Sequence, residues 1–216
     1  MTLRIGVYGG SFDPVHLGHV LPVEETRARL GLDRVLYVPA YQPPHKPASP
    51  SASAHHRFAM LALALEPWPR LLLSDFEVAR GGTTYTIETL RHLRAREEGA
   101  EIFLVLGSDS LAQIETWRSF REILAEFRLA VVSREGFERD ALARALPADV
   151  AARFAPEGAV PGGAPPEETV FWGGNAPVTI SSTWLRRAIP AGEDLSGSLP
   201  AGVAAYLLKH GLYRLP

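Results

Sequence analysis

The sequence predicts an α/β fold: an open, doubly wound parallel sheet followed by a small helical part at about 180–216. Three observations predict it. Short β-type segments alternate with helical ones from the start of the chain to about residue 134. The first two β-type segments are joined by a crossover long enough for parallel pairing. EIFLVLG at 101–107 is apolar almost throughout, the pattern of a central strand covered on both faces.

The elements follow in order. LRIGVYG (3–9) alternates apolar with small or polar residues and ends at Gly9-Gly10, which predicts a strand. HLGHVLPVEETRARLG (16–31) is helical and stops at Gly31. Pro22 is tolerated there only in the first turn, which places the helix start near Leu17 to His19. RVLYVPA (34–40) is the second strand. AYQPPHKPASPSAS (40–53) is a Pro/Ser-rich loop and a plausible lid. AHHRFAMLALALE (54–66) is helical, and RLLLSDFEV (70–78) carries the third strand. After Gly81-Gly82, Thr83, Thr84 and Thr86 are candidate caps for a helix with Ile87, Leu90 and Leu93 on one stripe. FRLAVVSR (127–134) is the fifth strand, and 139–154 is helical. Residues 155–168 form a Pro/Gly loop and TVFWG (169–173) a last strand. Helices at 181–189 and 201–211 close the chain.

The 216 residues fit one domain spanning 1–216, and they suffice for a substantial core. A net charge of −2 and a pI near 6.4 give no global basic field calling for nucleic acid. The absence of cysteine excludes disulfides and zinc–thiolate sites. The start lacks a signal-peptide pattern, and no apolar run reaches the ~20 residues of a membrane helix. A cytoplasmic protein is expected.

In a doubly wound sheet, ligands bind at the carboxyl ends of strands. The first such end reads GGSFDPVHLGH. Gly9 and Gly10 let the backbone approach a ligand closely, and the next helix aims its first amides at the same spot, a geometry suited to phosphate. His16 and His19, three apart, share a face of that first turn. The same residues also suit a metal pair with Asp13 as third ligand, or simply a capped helix start. The second group, ISSTWLR (180–186), sets Ser181 and Ser182 at a helix start and Arg186 a turn later. Alone, that is an ordinary N-cap.

Together the two groups are specific. GGSFDPVHLGH resembles the (T/H)xGH nucleotidyltransferase motif in its bacterial nicotinate mononucleotide adenylyltransferase form. ISSTWLR resembles that family's second motif, with Leu185 where Ile is usual. PPHK (43–46), YT (85–86), GSDS (107–110), TW (116–117) and the HGLYR ending fall in the family's order, so the resemblance spans nearly the whole length. It implies a Rossmann-like sheet and a reaction in which ATP and nicotinate mononucleotide give nicotinate adenine dinucleotide and pyrophosphate. His16, His19 and Arg186 would be catalytic, with His19 the foremost transition-state contact. Gly9, Gly10, Ser11, Phe12, Gly18, Gly107, Asp109, Ile180, Ser181 and Ser182 would complete the ATP site. Mg²⁺ would ride on the ATP phosphates, with no metal ligand from protein side chains.

For the second substrate, the resemblance implies that Trp117 stacks on the nicotinate ring and that Tyr85 and Thr86 meet its carboxylate. Packing and helix capping are the ordinary roles of those residues. His45 and Lys46 are further candidates on their loop, as is Arg134 after strand five. Asp13 has two readings, as an organiser of the histidines or helix entry and as a substrate contact. Other readings are a nicotinamide-preferring enzyme, a phosphopantetheine adenylyltransferase, a metal hydrolase and a non-catalytic nucleotide-binding module. The expected partners are ATP and the mononucleotide, without nucleic acid or membrane. A homo-oligomer is compatible with the sequence, which specifies no interface.

Overall fold

The structure is a computed structural model that describes residues 2–44, 52–162 and 169–214. Its elements, in chain order, are β1 (Arg4–Gly10), α1 (Leu17–Leu30), β2 (Arg34–Pro39), α2 (Ala54–Leu65), β3 (Leu71–Leu73), α3 (Phe76–Arg80), α4 (Thr86–Arg96), β4 (Glu101–Gly107), α5 (Ser108–Leu111), α6 (Phe120–Glu126), β5 (Arg128–Val132), α7 (Arg139–Ala145), α8 (Ala148–Ala151), β6 (Val170–Trp172), α9 (Ser182–Ala191) and α10 (Ala201–His210).

Among the described residues, six strands form one sheet in the order β3-β2-β1-β4-β5-β6. β4 runs parallel to β1, with Arg4 opposite Glu101 and Tyr8 opposite Val105. β5 is parallel to β4 and β6 to β5. This is the doubly wound α/β sheet the alternation predicts. Central β4 is buried from Ile102 onward, as its unbroken apolar run requires.

The chain divides into two compact units. Met1–Tyr8, Pro22–Leu36 and Tyr85–Val178 form the first; Gly9–Leu21, Tyr37–Thr84 and Thr179–Pro216 form the second. The first has Ile5, Phe103, Leu129, Val131 and Phe171 fully buried at its centre. Asn175 ties it together by accepting the Ser133 amide at 2.8 Å and donating to the Ser133 carbonyl at 3.2 Å. In the second unit the core includes Tyr37, Val38, Met60 and Leu61, and α10 packs along α2.

Three expectations about elements change. The third strand, carried within 70–78, is confined to Leu71–Leu73, because Ser74 and Asp75 start α3: the Ser74 hydroxyl accepts from the Phe76 amide at 3.4 Å. The helix expected over 139–154 is two, split at Pro147, which holds Leu146 in an extended conformation (ψ 158°). Pro22 is the sixth residue of α1, beyond the first turn, where it removes one N–H from the helix ladder. The helix starts at Leu17 all the same, anchored by the Leu17 amide on the Ser198 carbonyl at 3.0 Å.

Candidate active site

In the second unit, the strand-end turn after β1 is built around Phe12. Its backbone is left-handed (φ 49°), which folds the ring back over Gly10. A Cβ on Gly10 would lie 2.9 Å from that ring, so Phe12 occupies the side-chain space at this glycine. Gly9 is open: a Cβ there would meet nothing nearer than the Val38 carbonyl at 4.0 Å. Phe12 in turn packs edge-on against the His19 imidazole, with centroids 5.2 Å apart.

The two histidines are brought together. His16 lies one residue before α1 and His19 is its third residue; their rings are 3.7 Å apart and tilted by 33°. The His16 amide donates to His19 Nδ1 at 3.3 Å. With Nδ1 accepting, a neutral His19 carries its proton on Nε2 and is a donor there. The Tyr37 hydroxyl donates to the His19 carbonyl at 2.9 Å. Of the first α1 amides, Leu17 and His19 already serve the Ser198 and His16 carbonyls, so the expected cradle of helix amides is partly closed. Gly18 is needed beside the imidazoles, because a Cβ would stand 3.0 Å from His16 Nδ1 and 3.3 Å from the Ile180 carbonyl.

The second motif packs directly against the first. Ser181 caps α9 by accepting from the Trp184 amide at 3.1 Å, its ordinary local role. Ser182 donates to the Pro14 carbonyl at 2.9 Å, and Arg186 donates to the Asp13 carbonyl at 2.7 Å and to the Thr183 hydroxyl at 3.3 Å. Residues far apart in sequence therefore buttress the segment leading into His16.

Asp13 is tied into the turn through its side chain. It is 4% exposed, and its Oδ1 accepts from the Ala52 amide at 3.1 Å and the Tyr213 hydroxyl at 2.7 Å. Burial and that carboxylate together push the Tyr213 phenol far above its ordinary pKa. Arg57, 1% exposed, donates to the carbonyls of Ala52, Ser11 and Tyr41 at 3.2, 2.7 and 2.9 Å. Its burial lowers its pKa, opposed by the nearby Asp13 charge. Sequence reasoning missed Arg57, which looks like a solvated charge on a helix.

In the first unit, the ends of β4 and β5 meet. The Arg134 amide donates to the Ser108 hydroxyl at 2.9 Å, and its guanidinium to the Tyr8 hydroxyl at 3.1 Å. A Cβ on Gly107 would strike Asp109 Oδ1 and come within 3.3 Å of Arg134 Nε, so Gly107, Asp109 and Arg134 form one cluster. Burial raises the Tyr8 pKa, with Arg134 lowering and Asp109 raising it further. The N-cap of α4 is Tyr85, whose amide donates to Glu88 at 2.9 Å, and not Thr83, Thr84 or Thr86; Thr86 is the first residue inside the helix. Arg118 sits 4.5 Å over the Tyr85 ring, and Trp117 beside it is half-buried. His45 and Lys46 lie outside the described residues. Among the described residues, no group of three or more His, Asp or Glu is placed to hold a metal ion. No described helix is long and apolar enough to cross a membrane.

A doubly wound parallel sheet with stacked histidines at a strand end, braced by a second motif, defines an α/β protein of the Rossmann-like class. The chain belongs to the cytidylyltransferase-like family, whose model matches residues 7–188. Two relatives are each named "probable nicotinate-nucleotide adenylyltransferase". The one from Bordetella pertussis is 39% identical over 211 residues, covering 98% of both chains. The other, from Thermus thermophilus, is 36% identical over 212 residues, covering 98% of this chain and 100% of its own. In solved structures, the fold is similar to the Plasmodium falciparum nicotinic acid mononucleotide adenylyltransferase complexed with NaAD. That match has a TM-score of 0.73 at 18% identity and covers 98% of this chain and 97% of the other. A Vibrio parahaemolyticus structure named "putative nicotinate-nucleotide adenylyltransferase" gives 0.66 at 20%, covering 100% and 98%.

Proposed function

We propose that this chain is a nicotinate-nucleotide adenylyltransferase, joining ATP and nicotinate mononucleotide to give nicotinate adenine dinucleotide and pyrophosphate. The observation that carries the reading is the physical union of its two motifs, with Ser182 and Arg186 bonded to the Asp13–Pro14 segment that leads into the stacked His16 and His19. The full-length relatives named for this activity support it.

A phosphate oxygen of the mononucleotide attacks the α-phosphorus of ATP in line. The bond from that phosphorus to the bridging oxygen breaks, and pyrophosphate leaves. The nucleophile is already an anion at neutral pH, so neither a general base nor a covalent enzyme intermediate is required. Catalysis is positioning together with stabilisation of charge on the α-phosphate and leaving group. We assign His19, through its Nε2–H, to the reacting phosphates, and His16 to the stack that orients it. Gly107, Asp109 and Arg134 are assigned to the nucleotide. Trp117, Tyr85 and Thr86 are assigned to nicotinate, the first stacking on the ring and the others facing its carboxylate. Mg²⁺ enters as part of the ATP substrate, carried by phosphate oxygens and water. Both substrates are charged and cross no membrane unaided, which suits a cytoplasmic enzyme.

His19→Ala tests the assignment. Turnover should fall roughly 10²- to 10³-fold at saturating substrates, the order set by one transition-state donor. Turnover within a few-fold of wild type would remove His19 from the chemistry.

A further inference from the structure

We infer that Tyr213, in the HGLYR ending of the chain, is a positioning residue for the histidine motif, holding Asp13 and through it the backbone that enters His16. The inference rests on the adenylyltransferase reading above and adds a residue to it.

Four observations converge on the Tyr213–Asp13 bond. The phenol donates to Asp13 Oδ1 at 2.7 Å in a part-buried setting. Tyr213 has a left-handed backbone (φ 60°), which a residue with a large side chain adopts unfavourably. Phe12, directly before Asp13, is left-handed too (φ 49°), so unfavourable backbone lies at one partner of this hydrogen bond and next to the other. Such conformations persist where the surroundings over-determine them, and they gather where geometry matters. Lastly, the ending is rooted. Gly211 closes α10 in the left-handed form, the Leu212 amide returns to the Leu207 carbonyl at 3.2 Å, and His56 on α2 bonds the Tyr206 hydroxyl on α10 at 2.9 Å.

The pull of Tyr213 is complementary to that of the second motif. Arg186 takes the Asp13 carbonyl and Tyr213 takes its carboxylate, so the residue is fixed through main chain and side chain alike. His16 follows three residues later and His19 six. A small drift of Asp13 is passed to rings whose use depends on placement. A displacement near 1 Å costs on the order of 10²-fold in rate for a reaction driven by positioning. Because the phenol's pKa is raised, Tyr213 remains a neutral donor throughout the physiological range.

The test is Tyr213→Phe, which keeps the ring and removes the hydroxyl. We expect kcat to fall roughly 10- to 100-fold, with each substrate's KM within about threefold, as a positioning loss predicts. In an Asp13→Ala background, which already lacks the acceptor, adding Tyr213→Phe should cost little further, since the Tyr213–Asp13 bond is then already gone. Imidazole ¹⁵N–¹H signals of His16 and His19 in the substrate-free protein should shift in Tyr213→Phe. Wild-type kcat in Tyr213→Phe, a KM rise at constant kcat, or two losses that multiply would overturn the inference. Unmoved imidazole signals would overturn it even in a chain without turnover, whereas a wild-type chain that turns over neither substrate pair but shows the shift would count against the function alone.

Discussion

Arg57→Met removes three hydrogen bonds from one buried side chain while keeping most of its volume. The carbonyls of Ala52, Ser11 and Tyr41 all lose their donor. Each carbonyl left without its donor in this buried or part-buried setting costs about 1 to 1.5 kcal/mol where loops can relax, about 3 to 4.5 kcal/mol for the three. Taking a guanidinium out of the interior returns part of its desolvation cost, which leaves a net loss of about 2 to 4 kcal/mol. For a chain of this length, that lowers Tm by about 4 to 16 °C. Arg57→Lys keeps the charge but reaches fewer carbonyls, so its loss should be smaller. Melting followed by circular dichroism, with a urea titration for the free energy, reads both variants. A drop below about 2 °C in Arg57→Met would refute the assignment of Arg57 as the internal brace of this turn.

Gly18→Ala places a methyl against the His16 ring and the Ile180 carbonyl, while suiting the helix it joins. Turnover should fall at least tenfold with Tm nearly unchanged, because the strain falls on the imidazole; equal turnover would show that His16 tolerates displacement. Trp117→Ala should raise the KM for the mononucleotide much more than that for ATP in initial-rate kinetics, and equal rises would point to packing instead. Burial holds the folded Tyr8 pKa above its ordinary value near 10, so its neutral form favours folding below that pH, and this contribution is lost as pH rises above about 10. The stability gap between wild type and Tyr8→Phe in urea titrations should therefore shrink from pH 8 to pH 11; a constant gap would show that Tyr8 does not titrate differently on folding.

Periodicity and composition made the sheet legible, since β4 and β5 are buried on both faces and carry apolar runs that fit nothing else. Short elements were harder to see. Leu71–Leu73 pairs for three residues before Ser74 and Asp75 redirect the chain, and an apolar run does not reveal where pairing ends. The histidine pair is legible as a pair, and the structure adds the stack and the bond that His19 Nδ1 accepts. Arg57 was not legible, because its three acceptors are main-chain groups, and no side-chain pattern announces a carbonyl. That the Phe12 ring lies over Gly10 is not legible in the sequence, because it depends on the left-handed backbone of Phe12.

The most direct test of the central claim is pyrophosphate release from ATP and Mg²⁺, run in parallel with nicotinate mononucleotide, nicotinamide mononucleotide and phosphopantetheine. The account predicts release that is fastest by a wide margin with nicotinate mononucleotide and yields nicotinate adenine dinucleotide in equal amount. Preferential release with phosphopantetheine, or none with any of the three, would contradict it.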